Sequence, residues 1–122
     1  RLISEYDVRA AGPDASAASL SGGNQQKFVN ARALDARPAV LVAENPTRGL
    51  DVRAAAAVHR QLRAAADAGA AVLMHCPDLD EALEVADRIV VLAGGRLREV
   101  PAGADRREVG ERMLDLGAGG EP

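Results

Sequence analysis

Two apolar runs, Ala39–Ala43 (AVLVA) and Ala70–Met74 (AAVLM), are continuous and of strand length, and each gives way abruptly to polar residues. An uninterrupted run of that length predicts a parallel strand buried on both faces. Between them, Asp51–Ala68 is Ala-rich and sets Val58, Leu62 and Ala65 on one side of a predicted helix, with Asp51 placed as its N-cap and Gly69 at its end. Strand, helix and strand with such short connections predict a βαβ unit, whose right-handed crossover makes the two strands parallel.

Helical spacing recurs on either side of this unit. Residues 24–36 carry Phe28, Val29, Ala31, Arg32 and Leu34 on one predicted face and stop before Pro38. Residues 1–9 place Leu2, Ile3 and Tyr6 at helical spacing, after which Gly12, Pro13 and small residues predict a loop. Downstream, residues 78–86 predict a short helix with acids in its first turn, where the helix dipole favours them. Residues 88–100 predict a hairpin about Gly94 and Gly95. Val109, Met113 and Leu116 predict a last helix over 105–116, followed by a loose tail, GAGGEP. No internal repeat and no metal-ligand spacing is present.

Composition narrows this picture. With 122 residues, 48% apolar and 27% charged, the chain has ordinary globular balance, which predicts one domain around one core and argues against disorder. The net charge of -3 offers no bulk positive field for a phosphate backbone, so nucleic acid is not expected as a partner. No apolar run approaches bilayer-spanning length. No signal segment opens the chain, and the single cysteine, Cys76, has no internal partner, so cytoplasm is the expected compartment. A start on Arg1 rather than methionine suggests a piece of a longer protein.

Candidate chemistry lies in two segments. Leu20–Lys27, LSGGNQQK, sets a hydroxyl and two glycines directly before a helix N-terminus, a place that suits an anion because backbone N–H groups point outward and glycine permits close approach. A purely structural reading, in which Ser21 or Asn24 merely caps the helix, carries about equal weight on this segment alone. The second segment, Val40–Asp51, brings Glu44 to the carboxyl end of a strand, where ligands of α/β sheets bind and where a carboxylate can hold the Mg²⁺ that accompanies a nucleotide.

Taken together, LSGGNQQK, a helix, an apolar strand and NPTRGLDV resemble the signature motif, Walker B strand and D-loop of ABC transporter ATPases, in that order. With DLDEALEVADRIVVLAGGRL they are similar to the tandem ATPase subunits of monosaccharide and nucleoside importers. The resemblance covers nearly the whole chain. It implies an α/β fold, a partial P-loop NTPase-like parallel sheet with flanking helices that lacks the phosphate-loop half, since no GxxxxGK[ST] occurs. It divides the chain into the end of a helical subdomain and a loop (1–19), signature helix through hairpin (20–104), and a terminal helix and tail (105–122). In such proteins ATP is sandwiched between the phosphate loop of one domain and the signature motif of another. Ser21, Gly22, Gly23 and Asn24 would then contact the γ-phosphate, Asp51 would contact the partner domain, and Glu44 would hold Mg²⁺. The implied partners are a second nucleotide-binding domain, transmembrane permease subunits and, indirectly, a solute-binding protein, at the cytoplasmic face of the cell membrane.

Several residues depart from the family's pattern. Asn45 stands where a general-base glutamate is usual and cannot take a proton. Pro77 stands at the switch-histidine position of Pro77-Asp78-Leu79-Asp80-Glu81. His75, two residues earlier, falls on the same strand face about 7 Å further back. A strand-end histidine bonded to backbone is therefore favoured over a displaced γ-phosphate sensor. Cys76 is expected as a small buried residue rather than a reactive thiol, Arg48 as a solvated or interface residue, and Asp78, Asp80, Glu81 and Glu84 as a solvated helix face. The resulting expectation is a degenerate second domain that completes a partner's site while its own turns ATP over slowly. A non-catalytic ABC-like dimerisation or regulatory module is the alternative. In isolation the chain is expected to expose sheet edges and associate.

Overall fold

The computed structural model describes residues 1–118. In chain order it contains α1 (Leu2–Glu5), a 3₁₀ turn (Ala17–Ser19), α2 (Gly22–Asp35), β1 (Val40–Glu44), α3 (Val52–Asp67), β2 (Ala71–His75), α4 (Leu79–Val85), β3 (Val90–Ala93), β4 (Arg96–Glu99) and α5 (Arg106–Ala118). These elements form two compact units, Arg1–Cys76 and a second from Pro77 onward. The single core expected from length is thus two separate apolar clusters, one in each unit.

In the first unit β1 and β2 pair in parallel from Val40↔Ala71 to Glu44↔His75, with α3 as the crossover between them. Val58 and Leu62, four residues apart on α3, meet Leu41 of β1, and Leu34, Ala43, Leu50, Val72 and Met74 close around them. Full burial of such side chains stabilises by about 1.5–3 kcal/mol each. The strands are not covered on both faces as expected. Val40, Val42 and Leu73 are 64%, 70% and 65% exposed, because both α2 and α3 contribute to the layer on the Leu41–Val72 face and no element of this unit covers the other. A continuous apolar run fixes a strand but does not say where the second layer comes from. Val29, on the predicted face of α2 with Ala31 and Leu34, is likewise exposed.

The second unit packs Val91, Val100 and Val109 with Leu79, Leu83, Ile89, Ala93 and Ala104. Gly94 and Gly95 both have positive φ, 55° and 73°, as a two-residue hairpin turn demands, and β3 and β4 pair antiparallel from Val90↔Glu99 to Ala93↔Arg96. Arg88 grips Glu99 with two hydrogen bonds of 2.6 and 2.9 Å, which hold the Glu99 carboxyl below its ordinary range. Ahead of α5, the Asp105 carboxylate accepts from the Glu108 N–H and Glu108 accepts from the Asp105 N–H, both at 2.9 Å, a reciprocal cap. The acidic residues expected as a solvated face are more engaged than that: Asp78 caps α4 through the N–H groups of Asp80 and Glu81, and Asp80 pairs with Arg106. Of the expected loose tail, Gly117 and Ala118 belong to α5 and the remainder lies outside the described residues. Among the described residues no helix is long and apolar enough to cross a membrane.

Candidate functional site

The signature segment opens α2. Ser21 occupies the N-cap position with extended backbone, but its side chain makes no capping bond. Its hydroxyl instead accepts from Asn24 Nδ2 at 2.9 Å, and Asn24 Oδ1 accepts from the Arg9 N–H at 2.9 Å. The capping alternative therefore loses its main support: neither side chain closes the first-turn N–H groups, which remain the intrinsic donors of a helix start. A Cβ on Gly22 would meet nothing within 4 Å, whereas one on Gly23 would lie 3.4 Å from the Gly49 carbonyl oxygen and 3.7 Å from Leu50. Gly23 thus lets the start of α2 lie directly against the loop that follows β1.

That loop is built by local backbone chemistry. Asn45 turns the chain with a φ of 46° and its N–H donates to the His75 carbonyl at 2.9 Å. Gly49 follows with a φ of 74°. The buried Pro46 offers its carbonyl to Gln26 Nε2 at 3.1 Å and to Asn30 Nδ2 at 2.9 Å, so two amides one helical turn apart tie α2 to the loop. Sequence reasoning missed this tie; its signal was a pair of amides at i and i+4 on a helix face that is only half-exposed. Asp51 then caps α3, accepting from the Ala54 N–H at 2.8 Å. Asp51→Ala is expected to lower unfolding stability by about 0.5–2 kcal/mol, while Asp51→Ser restores the cap; chemical denaturation of both variants checks this, and equal losses would deny Asp51 its capping role.

Ser21, Gly23, Asn24 and Asp51 open onto one cavity of about 650 Å³. Gly22 does not line it. Lys27, also on its wall, binds Asp7 at 2.9 Å, and this hydrogen-bonded cation holds the Asp7 carboxyl below its usual range.

Glu44 and His75 end their strands side by side, exposed on the same open sheet face. The structure records the His75 main chain as a hydrogen-bond acceptor and leaves its ring on the surface, so the expected backbone-bonded strand-end histidine holds for its carbonyl only. Cys76, expected to be buried, is only half-buried, and Arg48 is exposed. Pro77, exposed, begins the second unit. No group of three or more His, Cys, Asp or Glu side chains converges among the described residues. Glu44 nevertheless fits a Mg²⁺ role, since that ion takes one or two carboxylates with waters and phosphates rather than a protein cage. Asn45 Oδ1 is buried without a hydrogen-bond partner. An orphaned acceptor costs about 1–3 kcal/mol, and glycine is at ease at this φ. Asn45→Gly is therefore expected to raise stability by about 1 kcal/mol, after the added freedom of the unfolded chain; a lower melting temperature would refute it.

The geometry of signature segment, strand and loop can be set beside known proteins. The chain is 46% identical over 115 residues to the nucleoside import ATP-binding protein NupA of Lactococcus lactis, a match covering 93% of this chain and 23% of the relative. It is 50% identical over 96 residues to the xylose import ATP-binding protein XylG of Burkholderia cenocepacia, covering 79% of this chain and 18% of the relative. The chain is homologous to ABC import ATP-binding proteins. A ribose import ATP-binding protein, RbsA of Streptococcus agalactiae, matches at 37% identity over 122 residues, 99% of this chain and 24% of the relative. The chain thus spans about a quarter or less of the length of these curated relatives. No protein-family model matches. Solved ABC domains share the fold: the dimeric post-hydrolysis ATP-binding cassette MJ0796, bound to ADP and Pi, superposes with a TM-score of 0.69 at 24% identity, over 83% of this chain and 45% of that one. The ATP-binding cassette MJ1267 gives 0.65 at 19% identity, over 94% and 46%. The α/β expectation, a parallel sheet with flanking helices of the ABC ATPase kind, holds.

Proposed function

We propose that these residues are the signature-bearing part of the nucleotide-binding domain of an ATPase that drives import of a sugar or nucleoside, as the names of the relatives suggest. Ser21, Gly22, Gly23 and Asn24 bind the γ-phosphate of an ATP held by a second ABC domain, and Asp51 meets that domain. One observation carries the reading: Gly23 lies against Gly49, so the anion-suited start of α2 and the loop leading to Asp51 present a single surface. Donors fixed before the reaction stabilise developing phosphate charge without reorganising.

The chain's own strand end binds without efficient turnover. Glu44 reaches a Mg²⁺ through one methylene more than aspartate would, and Mg²⁺, when bound, offsets the charge of the nucleotide phosphates. Asn45 has no proton-accepting group for an attacking water, and Pro77 offers no side-chain hydrogen bond to a phosphate. Permease subunits and, through them, a solute-binding protein complete the assembly at the cytoplasmic face of the membrane. ATP turnover of the full-length protein carrying Ser21→Arg or Asn45→Gly tests the proposal: loss in the first and not in the second supports it, and the reverse overturns it.

A further inference from the structure

A chain of hydrogen bonds runs from Lys27 to Ser21 through the segment that follows α1. Asn24 and Lys27, three apart on α2, share a face of that helix, and each holds this segment. Lys27 Nζ donates to the Asp7 carbonyl and to Asp7 Oδ2, both at 2.9 Å. Two residues on, the Arg9 N–H donates to Asn24 Oδ1 at 2.9 Å. Asn24 Nδ2 in turn donates to Ser21 Oγ at 2.9 Å.

Asp7 has a φ of 50°, a left-handed conformation that residues other than glycine keep where their surroundings enforce it. The Lys27 ammonium, bonded to both the carbonyl and the carboxylate of Asp7, supplies that enforcement. Stability alone does not account for the pair, since the Asp7 side chain is 80% exposed and exposed ion pairs contribute little. The turn at Asp7 buries Val8, which is 5% exposed, and presents the Arg9 N–H to Asn24. With Oδ1 committed to Arg9, the Asn24 amide has one orientation, Nδ2 toward Ser21. Ser21 Oγ therefore accepts from Asn24 and keeps its own proton to donate. A hydroxyl held in that state is a fixed donor for a phosphate oxygen.

We propose that the Asp7–Lys27 pair is a positioning clamp for the signature serine: it sets the Asp7–Arg9 backbone, which orients Asn24, which aims the Ser21 hydroxyl at the γ-phosphate. The clamp rests on the reading of Ser21 as a phosphate ligand and names two residues that serve it without touching ATP. Lys27 acts through Asn24 and not as a cation on the phosphate, because its ammonium is turned to Asp7.

Steady-state ATP hydrolysis by the full-length protein, with the KM for ATP and the melting temperature measured for each variant, tests the clamp. Lys27→Met keeps an unbranched stem and removes the donor. It is expected to lower kcat about five- to tenfold, the worth of one ordinary hydrogen bond, with KM unchanged. Its melting temperature is expected to stay within about 4 °C of the parent. Lys27→Arg, which keeps a cation able to bond Asp7, is expected to recover most of the loss. Asn24→Ala breaks the chain one step nearer Ser21, so adding Lys27→Met to it is expected to cause no further loss. Losses that multiply in the double variant, or a Lys27→Met loss that comes with a raised KM or a larger fall in melting temperature, would make Lys27 a direct ligand or a structural residue and overturn the proposal. Unchanged turnover in Lys27→Met beside a loss in Ser21→Arg would overturn the clamp alone, whereas unchanged turnover in both would overturn the signature reading with it.

Discussion

Ser21→Arg in the full-length protein is expected to cut ATP turnover by about 10²-fold or more, with nucleotide affinity nearly unchanged. Removing one preorganised donor to a reacting oxyanion typically costs about 10²–10³ in rate. Arginine does more than remove the hydroxyl. It breaks the Ser21–Asn24 bond at 2.9 Å, which frees Asn24 from the arrangement that also fixes the Arg9 N–H, and its long side chain fills the approach that Gly22 leaves open. Because the grip on ATP comes from another domain in this scheme, the loss appears in turnover and not in binding. Asn45→Gly provides the contrast. A positioned general base contributes about 10²–10⁴, or roughly 3–5 kcal/mol of barrier, but Asn45 has no base to lose, so turnover stays within about twofold. Steady-state hydrolysis with a parallel nucleotide-binding assay separates the cases. Turnover unchanged by Ser21→Arg would remove the signature role, and turnover abolished by Asn45→Gly in a stably folded protein would return the chemistry to this chain's own strand.

The order of elements was legible because each has a local cause. AVLVA and AAVLM have strand length and are bounded by turn residues, Asp51 both starts and caps α3, and two adjacent glycines at positive φ make the β3–β4 turn. The proposed site residues Ser21–Asn24 and Asp51 could be singled out because they lie in the specific strings LSGGNQQK and NPTRGLDV, and Glu44 because it ends an apolar strand. What escaped depends on side chains that meet across elements. The Pro46 carbonyl satisfied by Gln26 and Asn30, the contact of Gly23 with Gly49 and the hold of Lys27 on Asp7 join residues about 16 to 26 positions apart, and no periodicity encodes such meetings. The open face of Val40, Val42 and Leu73 escaped for another reason. An apolar residue on a strand shows what a face requires, not which segment supplies it.

Leu62→Ala is expected to destabilise the first unit by about 2–5 kcal/mol. Leu62 is 5% exposed and packs with Leu41 and Val58 at the centre of that cluster. The helix itself does not resist the change, since alanine is the best helix former and returns at most a few tenths of a kcal/mol. The cost is therefore transfer and cavity energy, reduced only as far as flexible Met74 can lean into the space. One covered sheet face leaves little to absorb it: domains carry in all about 5–15 kcal/mol of stability, and here the largely exposed Val40–Val42–Leu73 face contributes little of the burial. The melting temperature should fall by at least about 8 °C, given the small size of the unit. Val52→Ala on the same helix, at a residue 88% exposed, should stay within about 0.5 kcal/mol. Denaturant titration of the two variants distinguishes a core helix from a surface one. Equal midpoints would mean that α3 is held by its caps rather than by the Leu41–Val58–Leu62 contact, and the alignment of Ser21 with Asp51 would then need another cause.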